Sequence, residues 1–467
     1  MQVDMQSKPE VYDLVILGSG AGSKLLAWTF AARGQRVAVV ERKYVGGSCP
    51  NIACLPSKNV IHTAQFAHHV RHSEEFGISV DGFRVHMPTV RDRKRKMVQG
   101  LVNTHLALFD QSGAELIMAS GTFVGPRTLE AQLPDGTKRL LTGNNVVIGT
   151  GTHAVIDDIP GLASAKPMTH VEALELDVVP EHLIILGAGY VGLEFAQAMR
   201  RFGAKVTLVG RHDRVIYHED DDVTDGLHGL FEDEGIGLVL NADTRSVSGV
   251  SGSSVQITLE QNGVEKILEG THLLVATGRA PNTKDIGLEL AGVELTKNGY
   301  VKVNERLETT APGVWAVGDV AGSPQFTHIS EDDFRVVRDN ILGGNRVTTN
   351  RQVPFCLFTD PEFARIGNTE KEAKDMGIDF RLFKVPMAAV LRARTLMETR
   401  GFLKCLVERD SDKILGFAAF GVGGGEIMGC VQIAMLGGLP YTALREAILT
   451  HPTMPEGLLA LFSSAPS

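Results

Sequence analysis

The residues of this chain best suited to chemistry are two cysteines near its N-terminus, Cys49 and Cys54. They lie in the run GGSCPNIACLPSK, residues 46–58, and four residues separate them. Residues five apart in an ideal α-helix have Cα atoms about 8.6 Å apart, whereas a disulfide requires about 4.4–6.8 Å. A bonded pair therefore requires a distorted turn at this point of the chain.

Pro50 is typical of the first turn of a helix, and Cys49 stands just before it. A thiol near a helix N-terminus has a lowered pKa, so Cys49 is expected to be reactive. The pair could also be buried free thiols or metal ligands, but no second Cys or His pair stands at the spacing of a zinc site. No metal ligand is therefore predicted. The other cysteines are predicted to be small buried apolar residues: Cys356, Cys405 and Cys430.

A glycine-rich turn, GSGAGS at 18–23, stands between a predicted strand and a predicted helix. Gly18 and Gly20 permit a tight turn and the close approach of a pyrophosphate to the helix N-terminus. Ser23 occupies the third position, where glycine is usual, and is still small enough for helix–strand packing. Glu41, at the end of the next strand, is placed to accept hydrogen bonds from a ribose. The unit is predicted to bind a dinucleotide, and a purely structural glycine turn is the alternative.

A second turn of this kind follows the predicted strand HLIIL and matches the pattern fully, with Gly187, Gly189 and Gly192. Here the next strand ends without an acid, and Arg211 and Arg214 follow it. Arginines at this point can pair with a 2′-phosphate, which an acid would repel. The sequence therefore favours NADPH over NADH, and the alternative is that the arginines face solvent.

The two units repeat at a period of about 170 residues, which predicts two domains with parallel sheets and right-handed crossovers. Three more apolar runs end in glycine turns, within 144–151, 271–279 and 313–319, at the sheet edge where ligands bind. From about residue 351 alternating strands and helices predict an α+β domain. The predicted class is thus α/β, with two Rossmann-like dinucleotide-binding domains and a C-terminal α+β domain. The predicted bounds are 1–150 with 281–348, then 151–280, then 349–467.

The 467 residues carry a net charge of −9 with a pI of about 5.9, which argues against a nucleic-acid or anionic-membrane partner. The basic run RDRKRK, 91–96, is predicted to be the solvated face of a helix. No apolar stretch reaches the ~18 residues of a membrane span, and the polar start MQVDMQSKPE lacks the features of a secretory signal. With so few cysteines, a reducing cytoplasm is the expected location.

Over nearly its whole length the chain resembles the class I pyridine nucleotide-disulfide oxidoreductases, which include dihydrolipoamide dehydrogenase, glutathione reductase and mercuric reductase. The usual active-site run of that family is GGTCxNxGCxPxK, against GGSCPNIACLPSK here. The resemblance implies that the first dinucleotide domain binds FAD, the second NAD(P), and that the C-terminal domain dimerises. It also implies that Cys49 is the interchange thiol facing substrate, and that Cys54 forms a charge-transfer pair with the flavin as a thiolate.

The same resemblance implies roles for residues outside the cysteine run. Lys58 matches the lysine beside the reactive nitrogen of the flavin, and Glu194 matches its ion-pair partner. Tyr190 matches the ring that covers the nicotinamide pocket, and Asp319 matches the acid that holds the ribityl chain. The further residues expected to contact a cofactor are Gly47, Ser48, Thr150, Gly151 and Gly278.

The run HPTMPE near the C-terminus contains His451 and Glu456, which match the acid–base pair of the family. Histidine suits this role because its pKa lies near working pH and a carboxylate can fix its tautomer. In the family this histidine reaches the cysteines of the other subunit, so the resemblance implies a homodimer.

Some positions depart from the family pattern. Ser48, Pro50 and Ala53 replace the usual residues, and Ala53 stands where glycine is usual. The sequence also lacks the paired C-terminal cysteines and the N-terminal metal-carrying domain of mercuric reductases.

The sequence therefore predicts an FAD-dependent NAD(P)H:disulfide oxidoreductase whose acceptor is a small disulfide, a quinone or a metal ion. Three alternatives stay open. The chain could be a dihydrolipoamide dehydrogenase of a 2-oxoacid dehydrogenase complex, an enzyme like mercuric reductase without the C-terminal cysteine pair, or an FAD-binding redox sensor that turns over little.

Overall fold

The computed structural model describes residues 8–466, in which 21 strands and 13 α-helices follow one another. The strands are β1 (Glu10–Leu17), β2 (Val37–Glu41), β3 (Glu115–Met118), β4 (Ser120–Gly125), β5 (Thr128–Gln132), β6 (Lys138–Ile148), β7 (Thr152–Ala154), β8 (His182–Leu186), β9 (Lys205–Val209), β10 (Gly237–Val239), β11 (Ala242–Val250), β12 (Ser254–Gln261), β13 (Val264–Gly270), β14 (His272–Val275), β15 (Arg279–Pro281), β16 (Val314–Ala316), β17 (Phe355–Leu357), β18 (Phe363–Gly367), β19 (Phe380–Pro386), β20 (Phe402–Glu408) and β21 (Ile414–Phe420).

The helices include two long ones that follow the cysteine run and several short ones near the C-terminus. They are α1 (Ala21–Ala31), α2 (Ser48–Asn51), α3 (Cys54–Arg71), α4 (Met87–Ser112), α5 (His170–Ala173), α6 (Tyr190–Phe202), α7 (Asp221–Asp233), α8 (Thr327–Ile341), α9 (Glu370–Asp375), α10 (Leu391–Leu396), α11 (Gly424–Leu436), α12 (Tyr441–Arg445) and α13 (Gly457–Ser463). Short 3₁₀ helices occupy Ser73–Phe76, Leu288–Ala291, Gly318–Ala321 and Met387–Ala389.

The first of two compact units is assembled from three segments, whose described residues are 8–59, 88–155 and 278–351. Its main sheet has the order β3-β2-β1-β6-β5-β4, and β16 also pairs with β6. The strands β3, β2, β1, β6 and β16 run parallel, whereas β4 and β5 are antiparallel additions on the first half of β6. The long β6 therefore joins a parallel dinucleotide sheet to an antiparallel extension.

Apolar runs explain why the first unit forms a parallel sheet. Every residue of β2 is buried, and the central residues of β1 are inaccessible to solvent, as expected for strands covered on both faces. On one face, Phe30 of α1 and Val337 of α8 share a core with Ile16 of β1. This packing sets α1 and α8 against the sheet, and their N-termini belong to the candidate site.

The second unit contains Val60–Met87, Ile156–Thr277 and the described residues from Gln352 onward. Its parallel sheet has the order β10-β9-β8-β14, and α6 follows β8 and ends before Gly203, which has a φ of 113°. A meander of β11, β12 and β13 follows in the chain. A five-stranded antiparallel sheet, β17-β18-β21-β20-β19, packs its core with residues of α11, α12 and α13.

These elements confirm the predicted α/β class. In each of the two parallel sheets, one strand leads through a glycine turn into a helix, and the C-terminal part of the chain forms an antiparallel sheet. The basic run lies in α4, but Lys94 is 2% exposed, so the expectation of a fully solvated face was wrong at that residue. Every helix among residues 8–466 is too short or too polar to cross a bilayer. Most of the polar start lies in residues 1–7, outside the described residues. The predicted domain bounds stay a prediction.

Candidate active site

The two cysteines lie on different helices, separated by a break. The short α2 holds Cys49 and ends at Asn51, whose side-chain amide donates to Val45 O at 2.9 Å and to Gly47 O at 2.8 Å. Ile52, with φ −140° and ψ 4°, leaves the helical conformation, and Cys54 begins α3. This is the distorted turn that the spacing requires, and Cys49 lies within the short helix rather than before it.

The two thiols are not joined in a disulfide, both are half-buried, and each has the largest influence on the pKa of the other. The hydrogen bond from Cys49 lowers the pKa of Cys54 to about 6, and the Thr327 hydroxyl and the Lys58 charge act in the same direction against burial. The same hydrogen bond, together with burial, raises the pKa of Cys49. The lowered pKa therefore belongs to Cys54, as the family resemblance implied, and the expectation of a lowered pKa at Cys49 from its place near a helix N-terminus was wrong.

Thr327 is a site residue that sequence reasoning missed. Its Oγ1 lies 3.4 Å from Cys54 Sγ, although 273 residues separate the two in the chain. Thr327 is the first residue of α8, so the charge on Cys54 lies at the positive end of that helix. No local motif marks this threonine, and only the packing of α8 on α1 brings it to the cysteines.

The first glycine turn forms a backbone cradle at the start of α1. Gly18 has a φ of 94°, and a Cβ on it would lie 2.4 Å from Gly149 O. A Cβ on Gly47 would lie 2.6 Å from Gly20 Cα, so the cysteine run and the turn approach through backbone alone. Helix α1 begins with no side-chain cap and no acid in its first turn. This cradle fits the pyrophosphate of FAD, because a free helix N-terminus attracts anions.

Ser23 explains how the imperfect third position is accommodated. The side chain is 1% exposed, and its Oγ makes no hydrogen bond within the described chain. A Cβ on Gly149 would lie 1.9 Å from that Oγ. The serine therefore fits because residue 149 has no side chain, a compensation that sequence reasoning missed.

Glu41 is buried at the end of β2, as predicted, but its carboxylate already has protein partners. One oxygen accepts from Ser19 N at 2.9 Å and Ser19 Oγ at 2.7 Å. The other accepts from the backbone N–H groups of Lys43 and Tyr44, at 2.8 and 3.0 Å. These bonds hold the glycine turn against the chain that leads to the cysteines, so a ribose would share the carboxylate with them.

A second polar edge of the first unit contains the predicted ribityl acid. Asp319 accepts a hydrogen bond from Thr152 Oγ1 at 2.6 Å, and Arg279 Nε donates to the same hydroxyl at 2.8 Å. Asn282 Nδ2 donates to Thr150 O at 2.7 Å. The strands β7 and β15 pair antiparallel here. The predicted cofactor residues that lie on this edge or its ends are Thr150, Gly151, Gly278 and Asp319.

The second glycine turn borders a cavity of about 310 Å³ in the second unit. Gly187 has a φ of 115°, and a Cβ on it would lie 2.3 Å from Ala276 O. A Cβ on Gly192 would lie 2.0 Å from Gly187 O. The third glycine is therefore needed because the helix packs closely on the turn. Helix α6 begins at Tyr190 without a side-chain cap or an acid in its first turn. This arrangement suits a second dinucleotide.

Both predicted arginines line this cavity. The Arg211 side chain is 64% exposed and lies 3.9 Å from the Asp243 carboxylate. Arg214 is more firmly held, because it donates to Thr224 Oγ1 at 2.9 Å and to Asp225 Oδ1 at 2.5 Å. Arg211 is therefore the freer cation of the two.

The same cavity has an aromatic wall that sequence reasoning missed. Tyr217 stacks on His212 with ring centroids 3.5 Å apart and packs on His218 at 3.8 Å. The sequence does place these three aromatic residues shortly after β9. Their stacking, however, depends on the conformation of the loop and could not be predicted from the sequence.

Two predicted residues on α6 have partners within the second unit. Tyr190 packs edge-on against Phe355, with ring centroids 5.5 Å apart. Glu194 is buried, and its carboxylate accepts from Phe358 N at 3.1 Å. The predicted pairing of Glu194 with Lys58 stays a prediction.

The C-terminal acid–base pair is formed as predicted. His451 Nδ1 lies 2.9 and 3.1 Å from the two carboxylate oxygens of Glu456. Since Nδ1–H donates to the carboxylate, Nε2 is the nitrogen that can exchange a proton. The imidazole is 63% exposed, so Nε2 is open to a partner molecule.

The remaining cysteines differ in exposure. Cys405 is fully buried and Cys356 half-buried, but Cys430 is exposed on α11, so the prediction of burial was wrong for Cys430. The residue lies on the solvent side of an otherwise apolar helix, a position that local composition does not distinguish.

One cluster of carboxylates has the geometry of a metal site, formed by Asp220, Asp222 and Glu370. The buried ammonium of Lys404 lies among them, 2.8, 2.8 and 3.0 Å from their oxygens. Lysine therefore supplies the positive charge that a metal ion would otherwise bring.

Comparisons with known proteins agree with this geometry. Residues 12–333 match the family model described as pyridine nucleotide-disulphide oxidoreductase, and 353–461 match the dimerisation domain of that family. The chain is 36% identical to the probable pyridine nucleotide-disulfide oxidoreductase RclA of Escherichia coli, covering 97% of this chain and 99% of RclA. It is 32% identical to a mercuric reductase of Lysinibacillus sphaericus, over 96% of this chain and 81% of the relative. A solved Cu(II) complex of the HOCl-induced flavoprotein disulfide reductase RclA from Escherichia coli matches at a TM-score of 0.88 and 34% identity, over 97% and 99% of the two chains.

Proposed function

This chain belongs to the pyridine nucleotide-disulphide oxidoreductase family, whose enzymes depend on FAD and take electrons from NAD(P)H, and we propose that it passes electrons from NADPH through Cys49 and Cys54 to a small acceptor. The observation that carries this proposal is the placement of the two thiols on successive helices beside the glycine cradle, with Thr327 Oγ1 3.4 Å from Cys54 Sγ. Cys54 is stabilised as a thiolate, and Cys49 keeps its proton. A dithiol with one stabilised anion is suited to hold an electron pair next to a flavin and to pass it outward through the other sulfur.

The first unit supplies the groups that would hold FAD. The cradle around Gly18 and Gly20 would hold the pyrophosphate, Glu41 would hold the ribose, and Asp319 would hold the ribityl chain. Lys58 supplies positive charge near Cys54. FAD, when bound, carries the two electrons of the nicotinamide hydride to the cysteine pair.

The cavity in the second unit supports NADPH as the donor. The turn at Gly187 and the start of α6 suit the pyrophosphate, and Tyr190 stands at that helix start. Arg211 lines the same cavity with an accessible guanidinium, and Arg214 lies beside it. A guanidinium pairs well with a 2′-phosphate, whereas a carboxylate would repel it. The strand β9, which precedes the two arginines, does not end in an acidic residue.

The chemistry at sulfur balances for a disulfide acceptor. Cys49 gives up its proton, and the resulting thiolate attacks one acceptor sulfur, forms a mixed disulfide and releases the first acceptor thiolate. The Cys54 thiolate then attacks the Cys49 sulfur, restores the Cys49–Cys54 disulfide and releases the second thiolate. The first released thiolate takes the proton that Cys49 gave up, and the second takes one proton from solvent. The sum is NADPH, one proton and the disulfide giving NADP⁺ and two thiols.

Proton transfer is assigned to the partner subunit's His451, since the C-terminal domain matches a dimerisation domain. Glu456 holds the imidazole through Nδ1 and leaves Nε2 for the exchange with thiols. Ile433 and Leu436 of α11 are 68% and 64% exposed, and such an apolar helix face suits pairing with a second copy of the chain.

The acceptor separates this proposal from its alternatives. The described C-terminal residues after Glu456 contain no cysteine, which disfavours a mercury substrate handled by the usual thiol pair. A dihydrolipoamide dehydrogenase would favour NAD⁺, and a redox sensor would not turn over repeatedly. A relative has been solved as a Cu(II) complex, so Cu(II) belongs with disulfides and quinones among the acceptors to be tested.

The test is anaerobic reduction of the purified holoenzyme with one equivalent of NADPH. The expected result is a long-wavelength charge-transfer band that Cys54→Ser abolishes, whereas Cys49→Ser keeps the band and loses turnover with disulfides. The matched control is Cys430→Ser, an exposed cysteine outside the pair, which should keep both. Absence of the band, with Cys54→Ser behaving like the wild type, would contradict the proposal. Turnover with NADPH and NADH against lipoamide, glutathione disulfide, quinones, Hg(II) and Cu(II) then identifies the acceptor class.

A further inference from the structure

A cationic and aromatic cluster, formed by Lys24, Trp28 and His105, lies beside the cysteine run in the first unit. Lys24 and Trp28 are one turn apart on α1, and His105 comes from α4. Lys24 Nζ lies 2.9 Å from His105 Nε2 and 5.9 Å from the centre of the Trp28 ring. The rings of Trp28 and His105 stack with centroids 5.9 Å apart.

The cluster lies against the segment that leads to Cys49. A Cβ on Gly46 would lie 2.4 Å from His105 Nδ1, so the imidazole packs directly on the backbone three residues before the cysteine. Burial, with the Lys24 charge, lowers the pKa of His105 to about 4. The imidazole is therefore neutral near pH 7 and accepts a hydrogen bond from the lysine, which holds the ammonium in place.

The ammonium of Lys24 is electrostatically coupled to Cys49. Burial lowers the pKa of Lys24, and the charges of Cys49 and Glu331 oppose this. In return the Lys24 charge lowers the pKa of Cys49, against the hydrogen bond to Cys54 and burial. The charged and titratable groups around the ammonium are thus Cys49, His105 of α4 and Glu331 of α8.

We propose that Lys24 determines acceptor specificity by holding a positive charge beside Cys49, where it supports the thiolate and attracts acceptors that carry negative charge. The inference rests on the proposed function, since it takes Cys49 as the thiol that meets the acceptor. The ammonium lies in a partly apolar environment, where the effective dielectric constant is lower than in water. It therefore stabilises a nearby anion more strongly than it would in water. The substrate class is a disulfide with carboxylate groups near the scissile S–S bond.

The test compares two alkylating agents of similar size and different charge, iodoacetate and iodoacetamide, on the NADPH-reduced holoenzyme under anaerobic conditions. Each transfers its carbon to the Cys49 sulfur and releases iodide, and mass spectrometry of tryptic peptides identifies the labelled cysteine. Lys24→Met is expected to lower the iodoacetate-to-iodoacetamide rate ratio at Cys49 about five-fold, because one partly screened charge is removed. Lys24→Arg, which keeps the charge, should restore most of the ratio.

Lys302→Met is the matched control, because Lys302 is an exposed lysine whose ammonium pairs with Glu294 at 2.8 Å. It should leave the ratio unchanged. An unchanged ratio in Lys24→Met, with the charge-transfer band intact, would overturn the role of Lys24 and leave the proposed function standing. Loss of the band in wild type, or labelling of Cys54 in place of Cys49, would count against the proposed function instead.

A second measurement keeps the proposal open to refutation if Lys24→Met does not retain FAD. Lys24→Gln then replaces it, and the wild-type ratio is measured as ionic strength rises from about 0.01 M to about 1 M. Because the Debye length falls from about 30 Å to about 3 Å over that range, the ratio should fall toward that of the neutral variant. A ratio independent of salt in wild type and unchanged in Lys24→Gln would overturn the proposal.

Discussion

Replacing Thr327 by valine tests how the charge on Cys54 is maintained. The substitution keeps the shape of the side chain and removes the hydroxyl that lies 3.4 Å from Cys54 Sγ. A hydrogen bond to a charged group contributes about 1.5–3 kcal/mol, and the long contact to sulfur argues for the lower end. Since 1.36 kcal/mol corresponds to one pH unit, the pKa of Cys54 should rise by about one, from about 6 to about 7.

The direction of the pH effect follows from the charge. The thiolate, and with it the charge-transfer band of the NADPH-reduced holoenzyme, is present above the pKa of Cys54 and disappears as pH falls through it. The wild-type band should therefore fade around pH 6, and the band of Thr327→Val one unit higher. At a pH of about 6.5 the wild type keeps about three quarters of the band and the variant about one quarter.

Thr327→Ser is the matched control, because it keeps the hydroxyl and removes only a methyl group. Its midpoint should stay near that of the wild type. The reasoning is refuted if Thr327→Val and the wild type share one midpoint, or if Thr327→Ser moves as far as valine does. The first result would mean that Cys49 and Lys58 maintain the anion without Thr327, and the second that the position acts through packing.

Three further predictions test other parts of the site. His451→Gln should lower steady-state turnover with a disulfide by about a hundred-fold or more, while stopped-flow reduction by NADPH stays unchanged; an equal loss in both would show damage beyond proton transfer. Replacing Arg211 and Arg214 together by Gln should raise KM for NADPH by about ten-fold or more and leave KM for NADH nearly unaltered, because a charge-assisted contact is lost; equal effects on both donors would argue against a 2′-phosphate site. Gly149→Ala should destabilise the holoenzyme by about 1–3 kcal/mol, seen as a lower Tm, since the new Cβ would lie 1.9 Å from Ser23 Oγ. Adding Ser23→Gly should recover most of that loss, and a double variant no better than Gly149→Ala would show that the clash lies elsewhere.

The amino-acid sequence alone was enough to predict the elements that surround the site. Both glycine turns lie between a strand and a helix as predicted, and the cysteine spacing correctly required a break in the helix. His451 and Glu456 are only five residues apart and form the expected hydrogen bond. These features depend on backbone geometry and on neighbours close in the chain, so local rules of spacing and residue type suffice for them.

Residue spacing favoured a thiolate at Cys49 and the family resemblance implied one at Cys54, and only the tertiary structure supplies the physical reason for Cys54. The pKa of a thiol depends on the hydrogen bonds, charges and burial at one point in space, and the groups at that point come from distant parts of the chain. Thr327 lies against Cys54 although 273 residues separate them in the chain, and the charge of Lys24 acts on Cys49 from another helix. The fit of Ser23 against Gly149 was also decided by the tertiary structure. The two residues meet only when the helix that carries Ser23 packs on its sheet.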